Sequence, residues 1–408
     1  MKIQFKQKSE KGSRIMFGFR TNSRLISKSL GTGMLSAAVA ALVALAAPTP
    51  SAADFKSEWA NLVAAAKKEG VVSIAAGGAP SRHYRYIFDA FNKKYGIKVE
   101  VSRGGANRTI SRVLAERKSK KYTTDIALIS VRINNQRLVP SGSLIPFEPL
   151  LIHPEVLDKS KWYGGKYWYG DKDVKHTFFY TAAIIDGLRF WYNTTKISDK
   201  EAATIKTPFD FFNPKWKGKI VAQAIEDPSG IRQMIDGWQS PDQGPEWVKK
   251  FLTGGNVTFS ADRRIAETWL VGGRFPLKAP TRAEEELRTL AKKGIPIKEG
   301  SIPAKVGTLR ASGSGCCISA FKHAPHPNAA KLFANWFLTK EGQTLIHTTI
   351  PNIEVSSLRN DIPPGQVAVD QRRIPGKVYI YPDADPESGA RNKAIQAKIK
   401  KIWESRKR

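Results

Sequence analysis

Val71-Val72-Ser73-Ile74-Ala75-Ala76, followed by Gly77-Gly78-Ala79-Pro80 and then Ser81, reads as a short buried strand, a glycine-containing loop and the start of a helix. Ser81 is expected to cap that helix, which carries Tyr84, Phe88 and Phe91 inward and stops at Gly96. Downstream, Ile97 to Val101 reads as a strand, Ala106 to Lys118 as a helix and Asp125 to Ser130 as a third strand. Upstream, Phe55 to Glu69 places Trp59, Leu62, Val63 and Ala66 on one helical stripe that ends at Gly70. The order β-α-β-α-β predicts an α/β fold with a parallel sheet covered by helices on both faces. Its ligand sites are expected where loops leave the carboxyl ends of the strands.

A second alternating run begins with a strand at Gly187 to Asn193 and passes through Lys219-Ile220-Val221-Ala222 to Phe275-Pro276-Leu277-Lys278-Ala279. A strand at Cys316 to Phe321 and a helix at Asn328 to Leu338 follow. Between the two runs lies an aromatic-rich stretch, Trp162 to Tyr180, read as cover for a hinge or lobe edge, with a stacking platform for a sugar or aromatic ring as the alternative. The C-terminal Ala394 to Arg408 reads as a basic helical tail with a solvated face.

The N-terminus has the anatomy of a secretory leader: a basic stretch from Lys2 to Lys28, the apolar segment Leu30 to Ala47, then Pro48-Thr49-Pro50-Ser51-Ala52-Ala53. Small side chains at Ser51 and Ala53 place cleavage after Ala53, so the mature chain is expected to begin at Asp54, in the periplasm. The apolar segment is Ala-rich and falls short of the roughly 20 strongly apolar residues of a membrane span. Residues 1–53 are therefore set apart from the fold, and Met16 is an alternative start.

The chain's formal charge is +30, and removing the leader's eight Lys/Arg and one Glu leaves +23. Such a chain attracts anions at long range, but screening beyond roughly 8–10 Å confines this to encounter. The basic residues are spread along the sequence, as in Lys67-Lys68-Glu69, with no nucleic-acid motif, so no nucleic-acid partner is expected. Cys316 and Cys317 read as two small buried thiols, with a vicinal disulfide as the alternative. The six histidines form no metal pattern, and no nucleophile elbow, phosphate-binding loop or Cys/His constellation is present. The sequence thus points to no metal, no cofactor and no enzymatic activity. An enzyme built on the same fold, or a basic polyanion-binding protein, are the other readings.

Several segments in order resemble type 2 periplasmic solute-binding proteins of ABC transporters, in the iron and spermidine/putrescine group. They are Tyr86-Ile87-Phe88-Asp89-Ala90-Phe91 with Tyr95 to Val99, Arg137 to Leu144, Phe190 to Thr194, Asn213 to Ile220, and Pro327 to Phe333 running on to Gln343. The resemblance implies a two-lobed type 2 periplasmic-binding-protein fold, each lobe a mixed, mostly parallel sheet flanked by helices. It places the first lobe at 54–185 with 311–350, the second at 186–310, and a C-terminal segment, 351–408, on the second lobe. It also implies a monomeric receptor that delivers a small-molecule solute to a membrane permease.

Ferric-binding members of this group hold the metal with adjacent tyrosines, a His and a carboxylate, because hard Fe³⁺ favours anionic oxygen donors. At the matching positions this chain has Thr281-Arg282-Ala283-Glu284 and Ile129-Ser130-Val131-Arg132, a change that repels a cation and suits an anion. The expected site therefore gathers four places. They are Gly78 with Ser81, Ser130 with Arg132, the segment Asp227 to Arg232 with Ser229, Gly230 and Arg232, and Thr281 with Arg282. The free amides of Ser229 and Gly230 at a helix start would hold an anion, as in the ferric-binding relatives, and Thr281 with Glu284 would form a capping box.

Overall fold

The apolar run at 71–76 has both faces to bury, and the computed structural model shows where they go. It describes residues 52–406 except 103, 172–174, 282–283, 312–314, 351–352, 354 and 386. Val71–Ala76 is the central strand of a parallel trio, with Lys98–Ser102 on one side and Ile126–Leu128 on the other, in register Val72 to Val99 and Ile74 to Ile126. Val72, Ile74 and Ala76 join the main core of this lobe, while Ala75 joins a smaller core on the opposite face with Ile110, Val113 and Ala127. Burial on both faces is why the strand reads as a continuous apolar run and not as an alternation. Cys317–Phe321 adds antiparallel beyond Ile126–Leu128, and Leu144–Ile145 and Phe178–Phe179 pair with it in turn.

The second sheet has the order Ile297–Ile302, Leu188–Asn193, Leu277–Thr281, Ile220–Gln223, Val257–Ser260. Its last three strands run parallel, and Leu188–Asn193 runs antiparallel to both of its neighbours. A third, smaller sheet contains Ser356–Ser357, Thr181–Ile185, Gly307–Arg310 and Tyr379–Ile380. Its two middle strands are the passages between the lobes. Thr181–Ile185 leads directly into Leu188–Asn193, and Ile297–Ile302 leads directly into Gly307–Arg310. At the first passage Gly187 has φ 92°, and a Cβ there would stand 1.9 Å from the Ile302 carbonyl oxygen, so only glycine fits.

Pro327–Leu338 is the most deeply set helix of the first lobe, with Leu332, Phe333, Trp336 and Phe337 all essentially inaccessible. Each such side chain contributes about 1.5–3 kcal/mol by leaving water. The aromatic stretch is core as well: Trp162 and Tyr167 pack on Phe178, and both donate to the Val156 carbonyl oxygen, at 3.0 and 2.9 Å.

Three sequence expectations change. The helix after the first loop starts at Ala79, because Gly78 adopts φ 68° and Pro80 suits a first turn, so Ser81 lies inside it and donates to the Gly78 carbonyl oxygen at 2.8 Å. Cys316 and Cys317 are joined to each other as a vicinal disulfide. The segment after 350 divides between the lobes: Ile353, Val355, Leu358, Val367, Tyr379 and Tyr381 belong to the first core, whereas Ile395, Ile399 and Trp403 of the helix Ser388–Ser405 belong to the second. No described helix is long and apolar enough to cross a membrane.

Candidate functional site

Strands that end on the facing sides of two sheets leave a cleft, and here it encloses a cavity of about 1080 Å³. Ser130, Val131, Arg132, Asn135 and Gln136 line it from the first lobe, at the carboxyl end of Ile126–Leu128. The second lobe contributes Arg189, Ser229, Arg232, Ile235 and Thr281, and the passages contribute Ala183 to Gly187 with Arg310 and Ala311. The C-terminal segment adds Gln371, Asp383, Ser388, Gly389, Asn392, Lys393 and Gln396.

Of the residues singled out in the sequence, Ser130, Arg132, Ser229, Arg232 and Thr281 meet on this wall, from segments far apart in the chain. Gly78, Ser81 and Gly230 do not line it. Arg282 lies outside the described residues. Gly230 is a packing glycine, since a Cβ there would stand 2.0 Å from the Ala224 carbonyl oxygen.

The amides expected to hold an anion are already occupied. Asp227 caps the helix Pro228–Gln239, its carboxylate accepting from the Ser229 N–H at 2.7 Å and the Gly230 N–H at 3.3 Å. An anion arriving there would have to displace a charged cap. The Ser229 hydroxyl instead accepts from Gln233 Nε2 at 3.3 Å. The capping box does not form either: Thr281 ends a strand with its hydroxyl unpartnered among the described residues, and the buried Glu284 carboxylate pairs with the buried Lys278 ammonium. A buried cation leaves its neighbouring carboxylate little choice of partner. Burial nonetheless pushes the Glu284 carboxyl up, against the charge of Lys278.

Among its described residues the cavity wall carries five basic side chains, Arg132, Arg189, Arg232, Arg310 and Lys393, against two carboxylates, Asp186 and Asp383. Arg310 reaches Asp236 at 2.7 Å and Asp383 at 3.2 Å, and Arg232 lies 3.1 Å from Asp236 and 3.7 Å from Asp383. Burial lowers the Arg310 guanidinium to about 10, the Asp383 carboxylate opposing and the Arg232 charge adding to the shift, so it stays charged at neutral pH. Arg189 pairs with Asp370, and Asp186 with Lys377. No Tyr, His, Glu or Cys stands among the described residues of the wall, and those residues include no cluster of three or more potential metal ligands. The aromatic stretch lies away from it.

Sequence reading missed Arg310, Asp383 and the polar face of the last helix. The signal for the helix was present, since Gly389, Asn392, Lys393 and Gln396 recur at helical spacing beside the apolar Ile395 and Ile399, but the basic composition of the tail obscured it.

The profile of the bacterial extracellular solute-binding protein family matches residues 86–357. Comparison with curated proteins finds no match. Among solved structures, Trichodesmium IdiA (FutA), in complex with iron and citrate ligands, is 19% identical with a TM-score of 0.54, covering 82% of this chain and 99% of that one. The apo ferric ion-binding protein A of Pasteurella haemolytica is 15% identical at 0.52, with coverage of 82% and 98%. The periplasmic binding protein AfuA of Actinobacillus pleuropneumoniae, with exogenous fructose-6-phosphate bound, is 16% identical at 0.50, with coverage of 82% and 98%.

Proposed function

Because the chain belongs to the bacterial extracellular solute-binding protein family, we propose that it is the exported capture component of an ABC importer, taking up a small anionic organic solute in the periplasm. The observation that carries the anionic part is the wall of the cavity, five basic side chains against two carboxylates with no tyrosine or histidine among its described residues. Iron or phosphosugar does not transfer from neighbours at this level of identity; the donor set decides. Guanidinium and ammonium groups repel a bare cation and hold a carboxylate or phosphate through charge-assisted hydrogen bonds.

In this reading Ser130 and Arg132 contact the solute from one lobe, and Ser229, Arg232 and Thr281 from the other, with Arg282 beside Thr281. A solute that bridges both lobes favours the closed form by its differential contacts, and closure is what the permease reads. The receptor acts as a monomer and changes no bond in its cargo.

Mass spectrometry of the small molecules released on denaturing the purified protein identifies the cargo, because a closed cleft retains it. A thermal-shift screen tests the class: at about 100 times the dissociation constant a true ligand adds roughly 2.7 kcal/mol of stability. A coloured, stoichiometric ferric complex, or stabilisation by polyamines alone, would overturn the anionic reading. Recovery from the periplasm with Asp54 at the N-terminus tests export.

A further inference from the structure

The last helix, Ser388–Ser405, has two working faces. Ile395, Ile399 and Trp403 seal it to the second lobe, and the Asn392 Oδ1 accepts from Gln239 Nε2 at 3.0 Å, which fixes its rotation against the helix Pro228–Gln239. The neighbouring face, Gly389, Asn392, Lys393 and Gln396, follows the i, i+3, i+4, i+7 spacing of one helical stripe and lines the cavity.

Across from it, Arg132 and Asn135 come from the first lobe. Among the five basic groups of the wall, Arg189, Arg232 and Arg310 are matched to carboxylates. The side chains of Arg132 and Lys393 have neither an ion pair nor a hydrogen bond among the described residues, so they are the uncompensated charges of the cavity. Three buried polar atoms of the same wall also lack partners among the described residues, the Thr281 hydroxyl being one of them. The Asn135 Oδ1 accepts from nothing, its Nδ2 being committed to the Gly170 carbonyl oxygen, and the Arg310 Nε donates to nothing although its side chain is only 6% exposed. Buried polar atoms are seldom left unsatisfied, and each costs about 1–3 kcal/mol unless water or a ligand completes it.

We infer that the C-terminal helix is one jaw of the solute site, and that the solute is a polyhydroxylated dianion. One anionic group goes to Lys393, with Asn392 and Gln396 as its amide neighbours, and the second goes to Arg132. Hydroxyls between them donate to Asn135 Oδ1 and accept from Arg310 Nε. No aromatic side chain stands among the described residues of the wall, which disfavours a nucleobase or other flat ring. The inference rests on the receptor reading and names its substrate class.

The test is calorimetry at fixed salt with 6-phosphogluconate as the dianionic probe, gluconate as the monoanion and sorbitol as the neutral polyol. The wild type binds 6-phosphogluconate more tightly than gluconate, and sorbitol not at all. Lys393→Gln and Arg132→Gln each weaken 6-phosphogluconate by about tenfold or more, leave the ligand-free melting temperature unchanged and narrow its advantage over gluconate. Lys400→Gln, an exposed position on the same helix, changes none of this. If Lys393→Gln binds as the wild type does, the helix is only a structural prop and the jaw is overturned while the receptor reading stands. If neither anion binds, the dianion class is overturned and the released cargo judges the receptor separately. Stabilisation by spermidine instead overturns both.

Discussion

His347 accepts the Ser357 N–H on Nε2 at 2.9 Å, and its Nδ1 lies 2.9 Å from the Pro363 carbonyl oxygen, so the imidazole must be neutral with its proton on Nδ1. Protonating Nε2 would set two donors against each other. Burial lowers its pKa, the Pro363 bond opposing and the Arg373 charge adding to the shift. A histidine depressed in the folded state contributes stability that is fully present above its unfolded pKa, about 6.5, and is lost as the pH falls below that value. His153 is depressed too, chiefly by burial, and adds a slope of the same sign. Thermal melts between pH 7.5 and 5.5 should therefore show falling stability on acidification. His347→Gln should start lower at pH 7.5 and lose part of the slope; an unchanged slope would assign the pH dependence elsewhere.

At the scale of elements, helix starts are completed by carboxylates from two sources. Asp227 and Asp262 cap their own helices, Asp262 accepting from the Arg264 N–H at 2.8 Å. The helix Pro327–Leu338 has no cap of its own and takes one from Glu69, at the end of the first helix, which accepts from the Asn328 N–H at 3.1 Å and the Ala329 N–H at 2.7 Å. That contact both satisfies two amides and joins helices far apart in sequence. Glu69→Ala should cost about 1–2 kcal/mol in urea unfolding, by loss of the cap and of its charge at the positive helix end. A loss no larger than that of a surface glutamate such as Glu58→Ala would show that water replaces the cap.

For the whole molecule, an ion-pair bridge between the lobes matters most. Arg189 and Arg288 of the second lobe both reach Asp370, Arg288 at 2.9 Å. The next residue, Gln371, holds the backbone of Ile184, donating to its carbonyl oxygen at 3.1 Å and accepting its N–H at 2.8 Å. Burial pushes the Asp370 carboxyl up, but the two guanidinium groups outweigh it and hold the carboxyl below the usual range. The network therefore links the lobes beside the hinge. Asp370→Asn should cost about 1–3 kcal/mol, less than a fully buried pair because these groups keep some solvent contact. It should also give a larger radius of gyration by small-angle scattering without solute. An unchanged radius would make the network a local brace.

The sequence by itself determined the α/β class, the parallel trio around 71–76 and the family, because strand and helix periods and punctuating glycines are local signals that both faces of a buried sheet enforce. It also placed Ser130, Arg132, Ser229, Arg232 and Thr281 among the candidates that meet at the cavity. Only the tertiary structure decided which groups remain free there. Asp227 takes the amides of Ser229 and Gly230, and Lys278 takes Glu284 from the capping box; Arg310 and Asp383 are brought to the wall by pairings across the chain. The last helix reads as a solvated tail until its apolar stripe is seen seated on the second lobe, which turns its polar face into the cavity. Charge and hydrogen-bonding capacity are written in the residues, but whether they are already spent depends on neighbours that only folding supplies.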